Sequence, residues 1–319
     1  MQQAAYIFPG QGAQYPGMGR ELYEKYPEAK EVFDRAGEIL KLDIAKLCFE
    51  GSQEELKATA NASIVIPVHS LAVLKVLERR AADSEIDPGA KRFEPVLAFG
   101  LSLGEYTALI ASGCLSFEEG VKLVKKRGQF MEQASKKNPG KMACVIGMDK
   151  TELEKLCKGF GCEVANLNCP GQIVISGSKS SVELTASMAR QKGARRVVEI
   201  EVSGAFHSSL MLPARDRLEK EIENMTFNEP GYPVVSNVTA KPSRDPEEIK
   251  KNLVTQISST TFFWESVKSV ASQGVKTYLE IGPGNVLKGL LRRIDKSLNV
   301  ISLDKPADFA ALEQPASQS

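Results

Sequence analysis

The chain has 319 residues, 42% of them apolar and 25% charged, proportions that fit a folded globular protein and exclude a disordered or fibrous one. Its 41 Lys and Arg stand against 40 Asp and Glu, a net charge of +1. No global field therefore draws it to nucleic acid or to an anionic membrane. The length allows one large domain, or one large domain with a smaller insert.

Taken in chain order, Ala4 to Phe8 reads as a short core strand. No basic leader, long apolar stretch or cleavage site stands ahead of it, so nothing marks the chain for export. Arg20 to Leu40 reads as helical, and Ser63 to Arg80 as an amphipathic helix interrupted by Pro67. No apolar run reads as a membrane span. Ala81 to Pro95, with Pro88 and Gly89, reads as a surface loop into the strand Val96 to Phe99, and a helix follows from Gly104 to Ser112.

From Met142 the pattern changes. A strand (Met142 to Met148), a helix (Thr151 to Lys158), a hairpin (Glu163 to Asn168, Gln172 to Ser176), a helix (Ser180 to Lys192) and a strand (Arg196 to Val202) follow one another. This is the β-α-β-β-α-β order of a ferredoxin-like unit, with Cys169-Pro170-Gly171 as the hairpin turn. The expected fold is α/β: a large discontinuous domain over residues 1–134 and 204–319, with a ferredoxin-like insert over 135–203. Val234 to Asn237 and Thr277 to Ile281 are further short strands, and Asp304 to Ser319 reads as a loose tail.

The sharpest local signal is Gly100-Leu101-Ser102-Leu103-Gly104, placed between the strand VLAFG and the helix EYTALIASG. A G-x-S-x-G in that setting is a nucleophile elbow: a strained turn lifts the serine hydroxyl clear of the sheet, and the helix N-terminus turns backbone N–H groups toward a developing oxyanion. Ser102 is the expected nucleophile. It needs a base, and the chain has two histidines. His69 lies mid-helix among apolar neighbours and reads as a packed core residue. His207, in Ser203-Gly204-Ala205-Phe206-His207, lies just past a strand end at the junction with the insert, where catalytic groups collect, and is the expected base.

Other motifs exclude alternatives. Phe8-Pro9-Gly10-Gln11-Gly12-Ala13-Gln14 lacks the third glycine of a dinucleotide fingerprint, because Tyr15 stands there. It leaves a loop able to offer an amide donor. Gly282-Pro283-Gly284-Asn285 also fails the nucleotide fingerprints and reads as a turn capping a helix. The six cysteines, Cys48, Cys114, Cys144, Cys157, Cys162 and Cys169, form no C-x-x-C pair and no zinc spacing. Reduced thiols in a cytoplasm are expected, with no metal and no cofactor.

FPGQGAQ, GLSLGEY, KKRGQFM, NCPGQIVISG, GAFH, SNVTA and EIGPGNVL together resemble the malonyl-CoA:acyl carrier protein transacylases, the acyltransferase family of fatty-acid and polyketide synthesis. The resemblance runs from about Tyr6 to beyond Leu290. It implies an α/β-hydrolase-like large domain with a ferredoxin-like insert, and transfer of a malonyl group from malonyl-CoA to the phosphopantetheine thiol of acyl carrier protein. It also implies roles: Ser102 as the acylated nucleophile, His207 as its base, and Gln11 with the backbone N–H of Leu103 as oxyanion donors. Arg127 would grip the malonyl carboxylate, and the main-chain carbonyl of Gln256 would orient the histidine in place of an acid.

Without the resemblance, Arg127 reads as the end of a solvated basic helix with Lys122, Lys125 and Lys126. Phe206, with Leu103, matches members that take malonyl, a smaller residue at 206 leaving space for an α-methyl group. Many members carry histidine before the nucleophile, where this chain has Leu101. A positioning role for that imidazole is absent, and activity is expected to remain.

The alternatives are a serine thioesterase or esterase, disfavoured because no HGGG-type loop and no acid in a clear motif lies between Ser102 and His207, and a carrier-binding module with a decayed site. The chain is expected to be monomeric. An acidic carrier would meet basic side chains, for which Lys122, Lys125, Lys126, Arg195, Arg196, Arg292 and Arg293 are candidates.

Overall fold

A computed structural model of the chain describes residues 1–82 and 92–312. In chain order the strands are β1 (Gln2–Phe8), β2 (Phe93–Gly100), β3 (Lys141–Ile146), β4 (Glu163–Cys169), β5 (Gln172–Gly177), β6 (Arg196–Ile200), β7 (Val234–Val235), β8 (Pro242–Ser243), β9 (Thr277–Ile281) and β10 (Asn299–Leu303). The helices of the first part are α1 (Arg20–Lys25), α2 (Pro27–Leu40), α3 (Ile44–Glu50), α4 (Gln53–Lys57), α5 (Thr59–Ala82), α6 (Leu103–Ala111) and α7 (Phe117–Lys137). They are followed by α8 (Lys150–Phe160), α9 (Lys179–Gln191), α10 (Leu212–Glu223), α11 (Pro246–Gln256), α12 (Phe263–Ser272) and α13 (Val286–Ile294).

Two sheets organise these elements. The larger has the order β10-β9-β1-β2-β7-β8. Its strands from β10 to β7 run parallel, and β8 returns antiparallel on β7. The smaller is antiparallel with the order β4-β5-β3-β6. In β1, Ala4, Tyr6 and Phe8 join one core while Ala5 and Ile7 join another. Apolar residues on both faces are what a parallel sheet covered by helices requires. The first core holds α2, α5, α6 and α7, and the second holds Phe263 and Val267 of α12 with Leu287, Leu290 and Leu291 of α13. The smaller sheet packs α8 and α9 over a third core that includes Val145, Leu153, Ile173 and Val182.

Several elements differ from expectation for local reasons. Arg20 to Leu40 is two helices, parted at Tyr26, whose backbone is extended. Pro27 opens α2, and a residue before proline is pushed out of the helical region. Conversely α5 runs through Pro67 without a break, and its residues 62–74 are buried on every side. It is a core helix rather than an amphipathic one, and packing against α2 and α7 outweighs the roughly 3 kcal/mol local cost of an internal proline. By length and composition α5 could cross a membrane, but 83% of its apolar window is buried within the fold.

The segment after Asp304 is held, not loose, as far as Leu312: Phe309 and Leu312 are buried in the first core. Residues 313–319 lie outside the described residues. Of the loop expected over Ala81 to Pro95, Ala81 and Ala82 end α5 and Phe93 to Pro95 belong to β2. The remainder falls mostly outside the described residues.

Candidate active site

The carboxyl ends of β1 and β2 meet beneath Ser102. A Cβ on Gly104 would stand 2.0 Å from the carbonyl oxygen of Phe8, and one on Gly100 would stand 2.3 Å from the carbonyl carbon of Gly104. Only glycine lets the two chains pass this closely. Ser102 itself takes φ 53°, ψ −97°, a backbone state that costs a non-glycine residue about 1–3 kcal/mol. Surrounding bonds hold it there: the Ser102 N–H donates to Asn237 Oδ1 at 2.6 Å, and Asn237 Nδ2 donates to the Gly100 carbonyl at 2.7 Å. Ser102 precedes α6 but does not cap it with its side chain, which leaves Oγ directed at its neighbours.

One of those neighbours is His207, beyond the end of β6 and also at positive φ, 57°. Its Nε2 lies 2.7 Å from Ser102 Oγ, and its Nδ1 lies 2.9 Å from the main-chain oxygen of Gln256. A carbonyl can only accept, so Nδ1 carries the proton and Nε2 is free to take one from the serine. Burial, and then the positive charge of Arg127, push the imidazole down to about 4. It is neutral at neutral pH, the state a base requires.

Arg127 is 3% exposed. Its Nη2 donates to Ser102 Oγ at 2.9 Å and lies 3.4 Å from Gln256 Oε1, while its guanidinium carbon sits 4.9 Å from the ring centre of Tyr106. Its Nε is buried without a partner. This overturns the reading of Arg127 as the end of a solvated face. Lys122 and Lys126 occupy that face and pair with Glu118 and Glu221, whereas Arg127 turns inward with Val124 and Met131. A buried guanidinium with an unused donor has the geometry to receive a planar anion.

These groups open on a cavity of about 240 Å³ between the two sheets. Gln11, Leu101, Leu103 and Phe206 line it, together with Met142 and Val174 from the smaller sheet. Gln11 sits in the loop after β1, its Nε2 3.4 Å from both the Lys57 carbonyl and Thr59 Oγ1. Leu103 is the first residue of α6, where backbone N–H groups have no partner inside the helix. Phe206, 6% exposed, adjoins His207.

His69 takes no part in this cavity. It is fully buried, with Nε2 3.2 Å from Asp304 Oδ1, and Tyr15 donates to the same carboxylate. The Gly282-to-Asn285 turn does precede α13, but no side chain in it caps the helix. Glu280 does so instead, accepting from the N–H groups of Leu287 and Lys288. Among the described residues no group of three or more His, Cys, Asp or Glu side chains is gathered to hold a metal ion. All six cysteines are free thiols.

Sequence reasoning missed Glu105 and Asn237. Both lie in motifs already noted, GLSLGEY and SNVTA, but neither motif shows that Asn237, 135 residues away, brackets the serine. Glu105 is a fully enclosed carboxyl in the first turn of α6. Acidic residues are common in a first turn, so its type alone carried no signal.

The acyl transferase domain family matches residues 5–304. The chain is 42% identical over 311 residues to the malonyl CoA-acyl carrier protein transacylase of Bacillus subtilis (strain 168), covering 96% of this chain and 95% of that one. Among solved structures it superposes on the acyl-carrier-protein-S-malonyltransferase of Bartonella henselae with a TM-score of 0.91, at 36% identity and 98% coverage of both chains. A malonyl-transacylase solved with a type II PKS acyl-carrier protein also gives 0.91, at 34% identity, over 98% of this chain and 99% of that one.

Proposed function

The chain belongs to the acyl transferase domain family, and from that premise we infer that it transfers a malonyl group from malonyl-CoA to the phosphopantetheine thiol of acyl carrier protein. The observation that carries this reading is the position of Ser102 Oγ, bonded at once to His207 Nε2 at 2.7 Å and to Arg127 Nη2 at 2.9 Å. A nucleophile, its base and a carboxylate receptor thus meet at one atom.

In the first half-reaction His207 Nε2 takes the Ser102 proton as Oγ attacks the thioester carbonyl. The new C–O bond forms a tetrahedral oxyanion, held by Gln11 and the Leu103 N–H. The C–S bond then breaks, and CoA leaves as the thiol with the proton from His207. In the second half-reaction the carrier thiol gives its proton to His207, attacks the malonyl ester, and displaces Ser102, which recovers the proton. Ping-pong kinetics follow. The main-chain oxygen of Gln256 fixes the imidazole throughout, the part an acid plays in a triad.

Arg127 selects the acyl group. Its Nε and Nη2 form a fork for the malonyl carboxylate, and an uncharged acyl group would leave that buried cation unpaired. Phe206 closes the space that an α-methyl group would need. The chemistry described uses no metal or cofactor, and the site is complete within one chain, which suits a monomer. Six free thiols suit a reducing compartment, the cytoplasm.

The same reading takes residues 1–134 and 204–319 as an α/β-hydrolase-like domain and residues 135–203 as a ferredoxin-like insert. The strand–helix order from β3 to β6 supports it. Transfer is separated from hydrolysis by incubating the protein with malonyl-CoA and holo-acyl carrier protein. Malonyl-carrier should form in large excess over free malonate, and release of malonate alone would assign a thioesterase.

A further inference from the structure

Behind the serine and histidine lies a group that the transfer chemistry above does not use. Glu105 Oε2 accepts from Gln256 Nε2 at 2.7 Å and from the backbone N–H of Asn237 at 3.1 Å. Each of these residues has a second task at the site. Gln256 Nε2 also donates to the Ser102 carbonyl at 2.9 Å, and its own main-chain oxygen receives His207 Nδ1. Asn237 holds the elbow on both sides of Leu101, through the Ser102 N–H and the Gly100 carbonyl. The two segments that position nucleophile and base, the end of α11 and the turn after β7, therefore converge on one carboxylate oxygen. A single buried acceptor fixes their relative place.

We propose that Glu105 is a positioning residue of the transfer reaction, holding Gln256 and Asn237 so that Ser102 Oγ and His207 Nε2 stay within proton-transfer distance through both half-reactions. The inference rests on the function proposed above. It supplies the acid that a serine–histidine pair usually has, but at one remove: the carboxylate holds the residue whose carbonyl holds the imidazole.

Charge makes the role sensitive to pH. Burial pushes Glu105 up to about 7, against the opposing bonds from Gln256 and Asn237 and the charge of Arg127. The charged and titratable groups around it are Arg127 from α7 and Tyr106 from its own helix. Bonds to an ionised acceptor are stronger than bonds to a neutral one. Losing the charge as pH falls through about 7 should loosen the arrangement without dismantling it.

The test compares Glu105→Ala, Glu105→Gln and the unaltered chain in malonyl transfer to holo-acyl carrier protein, with circular dichroism as the check on folding. Glu105→Ala should lower kcat about 100-fold, the size of effect expected from a misplaced reacting pair, while KM for malonyl-CoA changes by less than about threefold. Glu105→Gln keeps an oxygen acceptor of the same size and should recover kcat to within about tenfold of the unaltered chain. The decisive readout is the pH profile: the unaltered chain should show a step down in kcat as pH falls through about 7, and Glu105→Gln should lack it.

A folded Glu105→Ala with unaltered kcat, or a Glu105→Gln profile identical to that of the unaltered chain, would overturn the proposal. If Glu105→Ala does not fold, the Glu105→Gln profile decides alone. Acylation of Ser102 by malonyl-CoA, measured alongside, separates the two readings. No adduct on the unaltered chain removes the proposed function, whereas an adduct with indifferent Glu105 variants removes only this role.

Discussion

Arg127 Nη2 donates to Ser102 Oγ at 2.9 Å, so the guanidinium bonds to the very atom that would carry the acyl group. In the free protein the serine oxygen is what this buried cation holds. In the proposed reaction, acylation of Ser102 would turn that oxygen into an ester and release the fork to the nearest anion, the distal carboxylate of the malonyl group. On that proposal, selectivity and nucleophile are built from one contact.

Removing the fork should therefore change which acyl group is transferred. In Arg127→Ala a malonyl carboxylate enters a buried site with no partner, which costs about 3–5 kcal/mol. Malonyl transfer should fall at least ~100-fold, while acetyl transfer from acetyl-CoA rises relative to it. Rates with the two donors give the ratio, and an unchanged ratio would take Arg127 out of the acyl site.

The acid limb of the reaction should lie unusually low. The proposed mechanism needs neutral His207, and burial and Arg127 hold its imidazole at about 4 instead of 6.5. As pH falls the imidazole protonates only on passing about 4, so in Glu105→Gln, which lacks the step near 7 assigned to Glu105, kcat/KM should persist through the range where an ordinary histidine fails. Arg127→Ala removes a nearby cation and should move this limb upward. A limb at the ordinary histidine value of 6.5 in Glu105→Gln would contradict the low-lying imidazole.

Phe206 should act as a steric limit. Phe206→Ala enlarges the cavity beside His207, so methylmalonyl-CoA should gain on malonyl-CoA by about 1–3 kcal/mol in relative kcat/KM, roughly 10- to 100-fold. Competition between the two donors for one carrier protein measures the shift.

The elbow should tolerate no added methyl group. A Cβ at Gly104 meets the Phe8 carbonyl at 2.0 Å, backbone that cannot move without shifting β1. Gly104→Ala should destabilise the fold by about 1–3 kcal/mol or more and lower Tm by on the order of 5 °C. An unaltered Tm by thermal melting would contradict the close passage of β1 and α6.

How much of this was legible in the sequence varied with the range of the interaction. The pairing of Ser102 with His207 is legible because the elbow is a local pattern and the chain offers one other histidine, His69, set in an apolar helix. The small antiparallel sheet was readable because the turn at Pro170-Gly171 punctuates it. Arg127 was ambiguous alone: its lysine neighbours suggested solvent, and only packing against α5 and Tyr106 turns it inward.

Pro67 misled for a related reason, since a local breaking tendency is overridden when a helix is buried on every side. Strand β10 carries little signal of its own, because NVISL is short and gains its meaning from pairing with β9. Glu105 and Asn237 depend wholly on long-range bonds, 151 residues from Gln256 to Glu105 and 135 from Ser102 to Asn237. No spacing rule reaches that far.

The most direct measurement of the central claim is the mass of the intact protein after brief exposure to malonyl-CoA without carrier protein, followed by peptide mapping. One malonyl group is expected, attached at Ser102, absent from Ser102→Ala, and discharged on adding holo-acyl carrier protein. No adduct, or an adduct that survives Ser102→Ala, would contradict it.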